Sequence, residues 1–378
     1  MNDRIARLRK LSFETRPSIS AERARLETEF YEQHYGKHSI PVLRALCFRH
    51  LCEHKTIYIG DDELIVGERG PAPKVVPTFP ELTCHSVEDL NILNDRPMTG
   101  YQVPEEDIAV YRDKVIPYWR GRSMRERIFS EVPEEWRAAY QAGLFTEFME
   151  QRAPGHTALD GAIYEQGMLD YKNQIKDRIT RLDYLDDPQA SDRYEQLKAM
   201  DIACDAAIIF AERHAALAES MAGKTVDPAR KEELEEIARI CRKVPAHRPD
   251  TFHEALQMYW FVHLGTITEL NGWDAMTPGH IDQHLQPFYD KEVAAQALDR
   301  EGAKELLACL WIKVNNHTAP PKVGVTAKES GTYNDFTQIN LGGLKGDGSD
   351  GSNDISLSLI HISEPTRQES RSRMPSSA

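Results

Sequence analysis

From Ala255 to Leu270 the chain reads ALQMYWFVHLGTITEL, apolar around nearly the whole circumference of a helix. Such a helix has no polar face to offer water and is normally buried within a large core. Gly302 to Val314 repeats that character. With 378 residues the chain can form one large domain or two ordinary ones. No run of about 18 apolar residues occurs, so the apolar helices are expected inside a protein core and not across a membrane.

The rest of the chain is largely helical in pattern. Ser20 is placed to cap a helix over AERARLETEFYEQHYG, and Pro41 suits the first turn of VLRALCFRHLCEHK. IYIGDDELIVGERG predicts two short strands around a turn at Asp61 and Asp62. The proline-rich segment from Lys74 to Pro104 reads as a long connection. Helices resume near Glu105 and Pro133, and Ser191 to Met221 carries the longest helical pattern, with Tyr194, Leu197, Ile208 and Leu217 at near-helical offsets. TQINLGG, Thr337 to Gly343, predicts a short strand ending in a glycine turn.

Composition narrows the functional classes. Apolar residues make up 40% and charged residues 28%, a soluble globular balance. The formal net charge of -14 repels phosphate backbones and anionic lipid, and no long basic stripe is present; nucleic-acid and membrane partners are therefore not expected. The basic start, MNDRIARLRKLSFETRP, lacks the apolar stretch of a secretory signal. Six scattered cysteines form no CxxC pair or disulfide framework, which predicts reduced thiols and a cytoplasmic location.

Three loops carry candidate chemistry. In FTEFMEQRAPGHT, Phe145 to Thr157, Pro154 and Gly155 force a turn that presents His156, a side chain able to donate or accept a proton near neutral pH. A histidine merely hydrogen-bonded within its turn is the commoner outcome for that pattern. In TELNGWDAMTPGHIDQHLQPFY, Thr268 to Tyr289, Asp274 follows Trp273 where apolar helix becomes loop. A carboxylate against an indole in a dry site favours its protonated form and suits a general acid; a turn or cap role fits the residues equally. KESGTYNDFTQINLGG, Lys328 to Gly343, sets Ser330 and Asp335 beside Phe336, small polar groups and an aromatic wall suited to a compact polar ligand. The same residues also serve ordinary turns.

Metal patterns are weaker. Cys47, His50, Cys52 and His54 lie close together, and His50 and His54 share one helix face, but Cys52 points elsewhere, so no tetrahedral set forms on an intact helix. His280 and His284 supply two ligands at most and fit a solvated or capping pair. No Walker loop, nucleophile elbow or dinucleotide fingerprint is present, and the glycine-rich GGLKGDGSDG is not followed by a helix.

Taken together, SIPVLRALCFRHL with DDELIVGERG, FTEFMEQRAPGH, and HEALQMYWFVHLGTITELNGWDAMTPGHIDQHLQPFY resemble the glycyl radical enzyme superfamily, which includes pyruvate formate-lyase. The resemblance runs from about Ile19 to about Ser356. DELIVGE and the Gly-His turn mark only the superfamily. FMEQRAPGH, ELN-x-WDA and KES-x-TY-x-DF are more specific and resemble the branch that dehydrates trans-4-hydroxy-L-proline. Gly331 stands where another serine is common in that branch.

The resemblance implies an α/β fold, the helix-rich N-terminal part of a ten-stranded barrel, here incomplete. The loops that bear the thiyl cysteine and the radical glycine in the family, Gly-Cys-Val-Glu and Arg-Val-Ala-Gly-Tyr, do not occur in this sequence. The chain alone is therefore expected to be inactive. By resemblance, His156 and Asp274 hold and protonate the leaving hydroxyl, and Ser330, Asp335, Phe148 and Phe336 bind the substrate. No cofactor or metal is expected in this part. The family's glycyl radical is installed by a separate radical-SAM iron–sulfur activase, and the complete enzyme is expected to be a homodimer of anaerobic metabolism. Another member of the superfamily, such as a diol dehydratase or a formate acetyltransferase-like enzyme, is the alternative within enzymes; a non-catalytic half-barrel is the alternative outside them.

The final stretch, LSLIHISEPTRQESRSRMPSSA, loses periodicity and capping logic and resembles translated vector or adapter DNA. The domain is accordingly expected to span 1–356, with a non-native or disordered tail over 357–378.

Overall fold

The computed structural model describes residues 2–145, 160–270, 277–329, 337 and 339–360. α1 (Asp3–Glu14) leads through β1 (Ser18–Ser20) to α2 (Glu22–His34) and α3 (Ile40–His54). An extended stretch then reaches β2 (Val75–Pro77), α4 (Val87–Asp95) and α5 (Glu105–Val110), which passes through a π-helical turn, Tyr111–Val115, into α6 (Ile116–Trp119). Next come α7 (Met124–Glu131), α8 (Glu134–Gln141), α9 (Ala162–Glu165), α10 (Met168–Thr180), α11 (Ala190–Ala222) and α12 (Pro228–Lys243). The buried α13 (Phe252–Glu269) is followed by α14 (Ile281–Ala294), α15 (Arg300–Asn316) and α16 (Val325–Glu329). Among the described residues sheet is confined to β1 and β2, paired in parallel with Ile19 opposite Val76.

α13 is the axis of the main core. Thr251 and Glu254 form a reciprocal capping box at its start, and every side chain from Glu254 to Leu264 is buried. The Glu254 carboxylate is nevertheless not isolated, since Lys243 and Arg239 reach it at 2.6 and 2.7 Å. α11 packs along α3 and α12, and its inward positions are mostly alanine, which lets the helices approach closely.

The stretch IYIGDDELIVGERG does turn at Asp61 and Asp62, but its flanks are not strands. Their backbone groups are taken by side chains instead. His253 donates from Nε2 to the carbonyl of Leu64 at 2.9 Å. Gln257 accepts from the Val66 amide and donates to the Val66 carbonyl, both at 2.9 Å, and Trp260 donates from Nε1 to the Gly67 carbonyl at 2.9 Å. These three residues lie on one face of α13, so the helix mimics the edge of a neighbouring strand. Alternation of apolar residues predicts extended backbone, and extended backbone is present; it cannot say whether a strand or a helix supplies the partners. Gly67 is required here because its φ is +108° and an added Cβ would lie 2.7 Å from Leu264.

The other side of the same stretch is held by charge. Lys313 of α15 reaches Glu63 and Glu68, the latter at 2.7 Å, and all three are almost fully buried. Lys55 donates to the carbonyls of Glu68 and Arg69 at 3.1 and 2.8 Å. Burial, only partly offset by Cys52 and Glu22, pushes the Lys55 ammonium down to about 8.

Three further expectations need correction. Ala21, not Ser20, occupies the cap position of α2, although the Ser20 hydroxyl still accepts from the Glu22 amide at 3.1 Å. The segment from Lys74 to Pro104 is no plain connection: it contains β2 and α4, the latter announced by a capping box between Ser86 and Asp89. Residues 339–343 are not a strand; their turn is fixed to the start of α14. Beyond it, residues 354–360 are helical, and Ile355 and Leu359 join the main core.

Replacing Gln257 by Leu leaves the buried N–H and C=O of Val66 without partners. This should lower stability by about 3 kcal/mol, read as a shift in the urea unfolding midpoint. Acid should also unfold the protein through its histidines. Burial pushes His214 and His263 down to about 3 each. Between that value and the ordinary 6.5 the unfolded chain holds protons that the folded state excludes, so stability falls as pH drops. Each histidine contributes about 1.4 kcal/mol per pH unit in that window. Glu68 and Asp107, both raised by burial, act with the opposite sign, but burial lowers His50, His85, His253 and His317 as well, and these act together with His214 and His263. Urea midpoints at pH 7, 6 and 5 should fall steeply in the wild type and less steeply in His214→Leu; equal slopes would refute this account.

Candidate active site

The six residues singled out from the sequence, Phe148, His156, Asp274, Ser330, Asp335 and Phe336, lie outside the described residues. They fall in three segments, 146–159, 271–276 and 330–336, and the structure describes the elements that bound each one.

The first segment follows α8. The Phe145 ring packs on Trp136 and Tyr140, with ring centres 5.6 and 6.0 Å apart. The Tyr140 hydroxyl accepts from Arg125 at 2.8 Å and from the amide of Val325, the first residue of α16, at 3.3 Å. The preceding Gly324 amide donates to Asp89 at 2.8 Å. The residues leading into 146–159 and the helix leading into 330–336 are thereby tied to the same tyrosine.

The second segment follows α13. Arg23 donates from Nε to the Thr268 carbonyl at 2.9 Å, and Arg44 pairs with Glu269. Arg23 also binds Glu27 at 2.7 Å and Glu81 at 2.9 Å, and its guanidinium lies 4.0 Å from the centre of the Phe79 ring. Burial opposes its charge, but Glu27 and Glu81 outweigh that and hold the guanidinium charged. Arg23, Lys55, Arg69, Ser20 and Thr268 line a small pocket beside this helix end.

The residues after all three segments meet at the first turn of α14. Asp160 accepts from His284 Nε2 at 3.0 Å. The Gly342 amide donates to Asp282 at 2.6 Å, and Gln283 donates to the Gly342 carbonyl at 2.8 Å. Ser356 donates its hydroxyl to the same Asp282 carboxylate, and Asn353 donates to the Asp282 carbonyl at 3.0 Å. His280 to His284, taken from the sequence as a solvated or capping pair, thus does more: His280 occupies the cap position without a side-chain bond, while His284 joins two separate stretches of chain.

Beneath α13 and the end of α15, Trp260, His263 and His317 form a buried stack, with ring centres 4.7 to 5.7 Å apart. Burial and the charge of Arg69 keep His263 neutral; burial, His263 and Arg69 hold His317 well below its ordinary range. Sequence reading missed this stack. Its only sequence signal is two histidines at positions an apolar pattern would fill. Among the described residues no group of three metal-ligating side chains is assembled. His50 and His54 do share a face, 4.3 Å between ring centres, while Cys47 and Cys52 are buried. No described helix is long and apolar enough to cross a membrane.

Comparison with known proteins places these observations in a family. The model of the family described as pyruvate formate lyase-like matches residues 1–370. The trans-4-hydroxy-L-proline dehydratase of Clostridioides difficile is 50% identical over 360 residues, 95% of this chain and 46% of that protein. The crystal structure of the hydroxyproline dehydratase from Clostridioides difficile, with trans-4-hydroxy-L-proline bound, superposes with a TM-score of 0.93 at 49% identity, covering 97% of this chain and 46% of the other. The glycerol-bound B12-independent glycerol dehydratase from Clostridium butyricum gives a TM-score of 0.88 at 31% identity, over 96% of this chain and 46% of the other. The chain therefore spans about half the length of the relatives it matches, and its helix-rich α/β architecture is that of the corresponding part of glycyl radical enzymes.

Removing the Asp282 carboxylate should loosen the junction at α14. Asp282→Ala leaves the Gly342 amide and the Ser356 hydroxyl without their acceptor. It should cost about 3 kcal/mol, and amide exchange at Gly342 should accelerate at least as much as global stability falls. An unchanged exchange rate at Gly342 would show that this junction does not depend on the carboxylate.

Proposed function

The chain belongs to the pyruvate formate lyase-like family, and from that premise we propose that it forms the N-terminal half of a glycyl radical dehydratase that removes water from trans-4-hydroxy-L-proline to give a pyrroline carboxylate. The observation that carries this reading is the gap in identity. The chain is 50% identical to a hydroxyproline dehydratase but 30% identical to an isethionate sulfite-lyase and 31% to a glycerol dehydratase, each over nearly its whole length. The FMEQRAPGH, WDA and KES-x-TY-x-DF motifs support the same branch.

The chemistry explains why such residues are wanted. The hydrogen to be removed from the ring is not acidic, so an ordinary base cannot take it. A thiyl radical can, because the new S–H bond offsets much of the cost. With a radical beside the carbon bearing the hydroxyl, water leaves readily once its oxygen is protonated. That step needs a positioned proton donor and a site closed to solvent. In this reading His156 and Asp274 hold and protonate the leaving hydroxyl. Ser330 and Asp335 bind the polar end of the substrate, and Phe148 and Phe336 wall the ring. The thiyl cysteine and the radical glycine belong to the other half of the enzyme, as does the surface read by a radical-SAM activase. The domain takes in the helix at 354–360, whose Ile355 and Leu359 join the main core, and the sequence beyond that helix is read as non-native. The enzyme works in an anaerobic cytoplasm as a homodimer.

What supports a shared cavity is the arrangement of the bounding elements. Tyr140 touches the element leading into 330–336 and lies just before 146–159, while the residues after all three segments gather at 280–284.

The decisive experiment uses the full-length protein that contains this chain. After activation it should convert trans-4-hydroxy-L-proline to a pyrroline carboxylate and leave glycerol and isethionate untouched. His156→Gln and Asp274→Asn should each lower kcat by more than about a hundredfold while the glycyl radical still forms. Undiminished turnover in both variants would refute the assigned roles, and turnover of glycerol instead would move the enzyme to another branch.

A further inference from the structure

The contact between His284 and Asp160 has features that an incidental surface pair lacks. Asp160 is the first described residue after the segment bearing His156, and its φ is +46°, an uncommon backbone conformation for a residue other than glycine. Gly161 follows at once, and a Cβ there would sit 3.0 Å from the His284 ring. The ring itself is stacked on Tyr164, 5.4 Å between centres and 27° from parallel, and Tyr164 is buried in the main core against Phe288. One imidazole is thus sandwiched by a glycine and a tyrosine and hydrogen-bonded at 3.0 Å to a residue held in a left-handed conformation. On the other side His284 sits one turn into α14, beside the Asp282 and Gln283 contacts that hold Gly342.

We propose that His284 and Asp160 form a positioning latch that sets the His156-bearing segment in register with the segments bearing Asp274 and Ser330. The inference rests on the functional reading given above and deepens it. Neither residue is assigned contact with substrate. The Asp160 carboxylate is exposed and the His284 ring only partly buried, so the pair adds little to global stability. Its effect is geometric. His156 lies four residues before Asp160, and Asp274 lies ten residues before His284, so an error in the latch becomes an error in the spacing of acid and imidazole. Proton transfer is sensitive to such errors because a displacement of about 1 Å can cost a hundredfold in rate.

The test compares the activated full-length wild type with Asp160→Asn, Asp160→Ala, His284→Phe and the Asp160→Ala/His284→Phe double variant. Asparagine tolerates a left-handed φ and still accepts a hydrogen bond, and phenylalanine keeps the stack on Tyr164 while losing the hydrogen bond. Asp160→Ala and His284→Phe should each lower kcat about tenfold, with KM changed by less than about twofold, and the double variant should be no worse than either single one. Asp160→Asn should recover most of the rate. Glycyl radical content, read by electron paramagnetic resonance, should be equal in all. Wild-type rates in both single variants, multiplying losses in the double variant, or radical content falling in step with kcat would each overturn the latch. Hydrogen exchange decides independently of substrate. Loss of either partner should speed exchange in both 160–165 and 281–285, and acceleration on one side alone would refute coupling. A wild type that ignores trans-4-hydroxy-L-proline defeats the functional reading, and the exchange result then judges the latch by itself.

Discussion

One face of α13 carries the constraint on which the other contacts depend. His253, Gln257 and Trp260 place three polar side chains along a helix that is otherwise wrapped in apolar neighbours, and all three are spent on the backbone of residues 64–67. A buried extended chain cannot leave its amides and carbonyls unpaired, so either a sheet or an equivalent must be found. Because the helix itself is that equivalent, the DELIVGE stretch and α13 cannot be placed separately. Lys313 then adds α15 to the same unit, since Glu63 and Glu68 would otherwise be buried anions with no cation between them. Three elements far apart in sequence thus share one solution to their polar groups.

That unit also fixes where the segments bearing Asp274 and Ser330 begin. α13 runs directly into 271–276, and the chain after α15 reaches α16 and 330–336 through His317, which is stacked on Trp260 and His263. The histidines in this stack are neutral because burial and the nearby Arg69 charge both disfavour protonation. A neutral imidazole can be buried at the cost of a hydroxyl-like group, whereas an imidazolium would carry the penalty of an unpaired charge. The stack itself is therefore polar in composition yet uncharged, while charge is kept in compensated groups such as Arg23 with Glu27 and Glu81.

What could be read from sequence follows from how local the responsible physics is. α3, α11, α13 and α15 are legible because caps, proline at the first turn and helical spacing are written within a few residues. α4 was hidden inside a proline-rich segment, although Ser86 and Asp89 spell a capping box once aspartate is allowed in place of glutamate. The two strands expected over residues 57–69 were misjudged for a different reason: period and composition report an extended, half-buried backbone, and the identity of its partner is a tertiary fact. The same limit applied to His284. Its offset from His280 suggested a surface pair, and nothing near it in sequence pointed to Asp160, which precedes it by 124 residues. The family resemblance was legible in the motifs, and the comparisons support it across nearly the whole chain.

The fastenings around the three segments differ in kind. Gly342 is held by a fully buried carboxylate, and Thr268 by a buried guanidinium whose other bonds are also satisfied. Contacts of that sort are strong because water cannot compete for either partner. Asp160, by contrast, is an exposed carboxylate held by a partly buried imidazole at a surface where water can compete. Its geometry is nevertheless the most exacting of the three, requiring an unusual φ, a glycine beside it and an aromatic platform beneath the imidazole. Weak bonding combined with narrow geometry is uneconomical for stability, since an exposed pair of this kind contributes roughly 0–1 kcal/mol. It suits the proposed latch, whose requirement is one of angle and not of binding energy.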